Sequence, residues 1–226
     1  MGVRKGFLIL QVLCFMAVLV GLVAGQQIVD RSIATVSDGV RVELITYSDL
    51  LRQLALQPGS SVEQPSSEDL NRALQLLINQ RLFALEAERL PREAPTQAEI
   101  DREIAQLVSL FPSTAEFERR LRMVGFASVK DENFVSLIRQ RMNIDKYLTF
   151  RFRAFTVITA ADISKYYDQV FVPDFRRKYP GVVMPTLADK QTEINQILTE
   201  QKVAADIESF LDEWKRRAEI VILSEV

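Results

Sequence analysis

Apolar residues recur along most of the chain at three- and four-residue intervals, the spacing that gathers them on one face of an α-helix. The clearest stripe is Leu70, Leu74, Leu77, Ile78, Leu82 and Leu85, with Asn71, Arg72, Gln75, Asn79, Glu86 and Arg89 on the other face. Ahead of it, residues 57–67 (QPGSSVEQPSS) have the composition of an exposed loop, read as a tolerated connection rather than a moving lid. Pro91 and Pro95 end the stripe, and Thr96 with Glu99 forms a capping box for a helix reaching about Leu110. Ser113 opens the next helix and Gly125 closes it. Residues 130–153 carry Phe134, Leu137, Ile138, Met142, Leu148 and Phe152 on a wide apolar face. Thr159 then caps a short helix (AADISKYYDQ), with Asp162 placed to accept backbone N–H bonds. Residues 186–218 read as one long helix, about 50 Å at 1.5 Å per residue, with Leu187, Ile194, Ile197, Leu198, Ala205, Leu211 and Trp214 on its stripe.

The period changes near both ends. Residues 28–46 (IVDRSIATVSDGVRVELIT) are rich in β-branched side chains and broken by Ser37-Asp38-Gly39, where Asp-Gly supplies the positive φ angles of a tight turn; they predict a β-hairpin. Ser48 then caps a short helix to about Leu56. Residues 219–223 (EIVIL) are a strand candidate, and the hairpin is its natural partner, because a lone strand leaves its backbone groups unsatisfied. The expected fold is mainly α: an elongated helical body with a small β element formed by the amino-terminal hairpin and the carboxy-terminal strand.

The start of the chain changes the domain picture. Arg4 and Lys5 precede an apolar run, FLILQVLCFMAVLVGLV, followed by Ala24 and Gly25, the layout of an export signal. Residues 1–25 are either a cleaved signal peptide or a retained anchor, and residues 26–226 form a single domain. Cys14 follows Leu13 rather than a small residue, which argues against lipidation, and it is the chain's only cysteine. The exported part therefore needs no disulfide.

With 48% hydrophobic residues the chain has material for a core, and its 28 basic against 30 acidic residues include no long basic run suited to nucleic acid. The chain contains no histidine. That removes the commonest general base and imidazole metal ligand, and no pattern arranges serine, lysine or carboxylates for nucleophilic or phosphate chemistry. Glu99, Asp101 and Glu103 lie close in sequence, and that spacing supports no glycosidase-like carboxylate pair. The reading is a non-enzyme with no catalytic residue, metal or cofactor.

Taken in order, several segments resemble the SurA-like family of periplasmic chaperones and peptidyl-prolyl isomerases. They are IVDRSIATVSDGVRVELITYSDL, LLINQRLFALEAERL, TQAEIDREIAQL, STAEFERRLRMVG, VITAADISKYYDQ and INQILTEQKVAADIESFLDEWKRRAEIVIL, which cover nearly all of residues 26–226. In that family a parvulin-type isomerase domain follows the segment resembling ISKYYDQ. Here residues 170–184 form only a short link, far below the roughly 50 residues a domain needs. Parvulin-type sites use histidines, and none exists to carry over. The resemblance thus implies a periplasmic holdase that binds unfolded exported or outer-membrane polypeptides without isomerase activity. The alternative is an envelope adaptor or structural protein that binds one folded partner.

A holdase needs adaptable apolar surface, which points to Phe111, Phe117, Met123, Phe126, Phe134, Met142, Phe150, Phe152 and Phe155 as candidate client contacts, with core packing the competing reading for each. FRFRAF (150–155) offers rings and cations to a peptide or a membrane surface, or is a helix end turning into a strand with solvated arginines; the second reading is preferred. Arg176, Arg177 and Lys178, beside Phe171, Phe175 and Tyr179, read as a solvated loop with anionic lipid or an acidic client as the competing partner. A homodimer formed by domain exchange through the 170–184 link is a further partner expectation.

Overall fold

The computed structural model describes residues 30–89 and 93–226. The chain divides into a unit of residues 1–31, of which only the last two are described, and a compact unit, Ser32–Val226. The expected export segment, 1–25, lies outside the described residues.

The second unit opens with strands β1 (Ser32–Ser37) and β2 (Val42–Thr46) and closes with β3 (Glu219–Ile222). All pairings are antiparallel and the order is β2-β1-β3, so the expected union of hairpin and terminal strand is present. A bulge between Ser32 and Ala34 breaks the alternation of β1, and the neighbours Ile33 and Ala34 are both fully buried. The hairpin turn differs from the tight Asp-Gly turn that the sequence predicts. Among the described residues only glycines have positive φ, so Gly39 (+85°) takes the left-handed conformation alone and the loop runs over residues 38–41. The reason is Asp38, whose carboxylate draws back the N–H groups of Arg41 (2.8 Å) and Val40 (3.0 Å) and widens the connection.

Between the strands lie α1 (Tyr47–Ala55), α2 (Ser67–Ala87), α3 (Gln97–Ser109), α4 (Thr114–Met123) and α5 (Glu132–Arg151). The cap of α1 is Thr46, not Ser48: Thr46 and Asp49 form a reciprocal capping box, which leaves Ser48 inside the first turn. Thr96 with Glu99 and Ser113 cap α3 and α4 as predicted, and Gly125 follows α4 with φ +91°. One core joins Ile33, Val36 and Ile45 of the sheet to Leu50 and Leu54 of α1 and to the α2 stripe. A second holds Ala55 and Leu56 with Ile100, Phe117, Leu121 and Phe134 of α3, α4 and α5. α1 is the seam between them. Its carboxy-terminal carbonyls are taken by Arg120 of α4, whose buried guanidinium donates to Leu54 (2.7 Å), Ala55 (3.0 Å) and Gln57 (3.0 Å). A cation thereby satisfies the orphan acceptors at the negative end of a helix. The connection after α1, residues 57–67, predicted to be exposed, is pinned by Val62, which is buried in the second core.

After α5 the chain makes a 3₁₀ turn, Arg153–Phe155, and no strand follows it. The two arginines are exposed, as predicted, and also engaged: Arg151 lies 4.6 Å above the Phe210 ring, and Arg153 donates to Glu200 at 2.6 Å. α6 (Ala160–Tyr166) runs through a π-helical segment, Tyr167–Phe171, into α7 (Val172–Lys178). The basic cluster Arg176, Arg177 and Lys178 is therefore helical rather than a loop, and the 170–184 link is mostly helix. Pro173 accounts for the π turn, because a proline inside a helix has no N–H and clashes with the carbonyl four residues back, and a wider turn relieves both problems.

The last helix, α8 (Leu187–Arg217), is 31 residues long and capped by Thr186 with Asp189. Its first half packs on α6, with Ile163 and Ile194 buried. Its second half packs on α2, where Trp214 enters the first core and Phe210 stacks on Phe83 at 6.4 Å. Ala205, placed on the apolar stripe by its spacing, is exposed, while Val203 and Phe210 turn inward.

Asp38 gives this fold a testable acid sensitivity. Its side chain is 1% exposed, and besides the two backbone bonds it accepts from the guanidinium groups of Arg41 (3.1 Å) and Arg89 (3.0 Å). The Arg41 N–H, foremost, and the other donors hold its carboxyl well below the usual carboxylate range despite burial. A depressed folded pKa stabilises fully above the unfolded value near ~4 and loses that contribution as pH falls toward the folded one. Asp38→Asn is expected to lower stability by about 1–3 kcal/mol at neutral pH. Urea titrations from pH 7 to pH 2 should show the gap to the parent closing below about pH 4.

Candidate binding surfaces

The aromatic and methionine residues singled out in the sequence divide into two sets. Phe111, Phe117, Phe126 and Phe134 are buried in the second core. Their rings interlock, with Phe111–Phe117 centroids 4.8 Å apart, Phe126–Phe134 5.5 Å and Phe117–Phe134 6.0 Å in edge-to-face contact. In the folded protein these four fill the interior, with Phe126 also bordering a cleft between α1, α2 and α5. Phe152 turns inward to meet Phe210 at 5.4 Å, edge to face.

Of the remaining candidates, Met142 is half-buried against the second core, and Met123, Phe150 and Phe155 are exposed. Met123 is exposed at the end of α4, with its sulfur 3.8 Å from an Arg119 guanidinium nitrogen. Met142 and Phe150 line an open cleft of about 660 Å³ on α5, together with Glu103, Asp145 and Lys146. Beside it, Phe150 (45% exposed), Phe155 (70%) and Val157 (73%) form an apolar patch, the two rings edge to face at 5.7 Å. Near the patch, Lys146 pairs with Glu99 of α3 at 3.1 Å and Arg153 pairs with Glu200 of α8, both at the surface. Glu99 is held down at about 2, foremost by the Thr96 N–H and then by Lys146.

A second apolar surface lies where the chain turns from α7 to α8. Tyr179, Val182 and Val183 are exposed there, Val183 to 89%, around Gly181 with φ +84°. The turn is held by the Tyr167 hydroxyl, which donates to the Pro185 carbonyl at 2.6 Å. A ladder of rings at four-residue spacing leads up to it: Tyr167–Phe171 (5.5 Å), Phe171–Phe175 (5.7 Å) and Phe175–Tyr179 (5.1 Å). Lys190 of α8 closes over the Phe171 ring at 5.7 Å. Arg177 pairs with Asp174 at 2.8 Å, and Arg176 and Lys178 stand exposed beside it. A third surface is the outer face of the sheet, where register aligns exposed Leu44 and Val221 on either side of Thr35.

Val182 and Val183 were absent from the sequence-based candidates, although the stretch YPGVVMP carries a signal: an uncharged apolar run across a glycine turn has little opportunity for burial. Leu44 and Val221 had no such signal, because alternation identifies the two faces of a strand and not which one is covered. Among the described residues no helix is long and apolar enough to cross a membrane, and no cluster of histidine, cysteine or carboxylates could hold a metal ion.

In comparisons with known proteins, no family model and no curated protein matches this chain.

The division between interior and surface rings is measurable by chemical denaturation. Phe134→Ala removes a fully buried ring and is expected to cost about 3–5 kcal/mol, whereas Phe155→Ala should stay within about 0.5 kcal/mol of the parent.

Proposed function

We propose that this chain is an exported, SurA-like holdase lacking an isomerase domain, which keeps unfolded envelope polypeptides soluble. The observation that carries this reading is the pair of exposed apolar patches, Phe150–Phe155–Val157 where α5 ends and Tyr179–Val182–Val183 in the turn between α7 and α8. Exposed apolar surface is what an interaction site on a folded chain offers. Small, separate and mixed in ring and aliphatic character, they suit weak contacts with many sequences better than one close-fitting partner. The helical 170–184 segment and the absence of histidine support a body without parvulin chemistry. Export follows from the reading of residues 1–25.

The purified chain should suppress aggregation of a chemically unfolded outer-membrane protein on dilution, at near-stoichiometric amounts, without accelerating proline-limited refolding. The double substitution Phe155→Asp and Val183→Asp should weaken suppression several-fold with Tm unchanged, since both side chains are exposed. A folded sample that suppresses nothing, or that captures one folded partner in fixed ratio, would replace this reading with the adaptor one.

A further inference from the structure

A cleft of about 460 Å³ lies between α1, α2 and α5, and three arginines far apart in sequence meet there: Arg52, Arg81 and Arg141. The one carboxylate among the lining residues is Asp49. It is already shared, accepting from the Thr46 N–H (3.1 Å) and Arg52 (3.1 Å) and lying 3.6 Å from Arg81. Arg81 has a second, longer contact with Glu43 at 3.9 Å. Arg141 has neither. Its guanidinium donates to the Gln53 side-chain oxygen at 2.6 Å, and among the described residues no carboxylate lies within ion-pair distance. Asp145, one turn along α5, acts on it only at longer range and lines the other cleft.

The Nε–H groups of Arg52, Arg81 and Arg141 are all buried without a hydrogen-bond acceptor in the protein, that of Arg81 meeting Glu43 only at 3.9 Å. Arg120 provides the internal contrast, since its buried guanidinium is matched by three carbonyls. Buried cations in folded proteins are ordinarily paired or fully hydrogen-bonded, because an uncompensated one loses its hydration with nothing in return. Desolvation lowers the Arg141 pKa to about 10, which still leaves it charged at neutral pH. An electropositive cleft with spare guanidinium donors is the chemistry that receives a carboxylate, frequently in bidentate fashion.

The rest of the lining narrows the ligand. Gln80, Gln140 and Asn133 supply amides, and Leu77, Phe126 and Ile144 supply apolar contacts. Amides pair with peptide N–H and C=O groups, and the apolar residues receive a side chain next to the charge. We propose that this cleft binds a carboxylate of an unfolded polypeptide, with Arg141 as the principal cation and Arg52 and Arg81 flanking it. The inference deepens the holdase reading and rests on it, by naming the client group that the cleft takes. The carboxylate is either the free carboxy terminus or an acidic side chain.

Three acetylated peptides of one apolar sequence decide between these sources on the intact protein: a free acid, its carboxy-terminal amide, and an amide with one internal glutamate. Fluorescence anisotropy should show the free acid or the glutamate peptide binding at least tenfold tighter than the neutral amide, with the preference shrinking as salt rises. The peptide that binds tightly identifies the source. Arg141→Gln should abolish the preference, and Arg81→Gln, tested in parallel in case the first variant folds poorly, should reduce it several-fold. Arg141→Gln is also expected to leave Tm unchanged or raise it, which a purely structural arginine would not do. Equal affinity for all three peptides, or a preference that survives both substitutions, would overturn the proposal. Aggregation suppression is read separately: a chain that suppresses aggregation without preferring a carboxylate loses this inference and keeps the holdase reading.

Discussion

Pairing of β3 with β1 is the interaction on which the rest of this fold depends. Without β3, the central strand would be an edge, with a row of backbone groups lacking partners. Because β3 follows α8 with Ala218 alone between them, docking the strand fixes where the long helix must end. That placement drives Trp214 into the core beneath the sheet and lays Phe210 on Phe83. Residues at the two ends of the described unit thus seal one core, and everything between them is a long excursion of helices that must return to the same sheet.

Within that excursion, α1 and α5 hold the two cores together in different ways. α1 is short and shared, with Leu54 facing one core and Ala55 the other, so its carboxy-terminal end falls in the interior where water cannot satisfy its carbonyls. Arg120 resolves this by reaching in from α4. α5 instead spans the distance, with Phe134 and Ile138 in the second core and Ile144 against Phe83 and Ala84 of α2. The cleft that gathers Arg52, Arg81 and Arg141 lies among α1, α2 and α5, where the lining residues are mostly long and polar.

The apolar surfaces have a related origin. The rings of Phe150 and Phe155 lie where α5 ends and the chain turns toward α6, beyond the reach of either core. Val182 and Val183 sit on a turn closed by the Val182 N–H, which donates to the Tyr179 carbonyl at 3.3 Å, and tied to the preceding helix by the Tyr167 hydroxyl. At both places exposed apolar side chains stand at the ends of helices rather than within their packed faces.

Helix positions, their apolar stripes and most of their caps were legible in the sequence, because periodicity and capping are set by residues within a few positions of one another. The strand at 219–222 and its partner were legible too, since only the hairpin could satisfy its backbone. The tertiary structure decided what covers each face. Phe134 and Phe150 look alike in a helical pattern, yet one is enclosed by Phe117 and Phe126 and the other is left at the rim. Arg120 and Arg141 are both arginines on amphipathic helices, and only packing gave one a set of carbonyls and left the other short of acceptors. Sequence spacing records which side of an element is apolar; the partner of that side is chosen by chain segments tens of residues away.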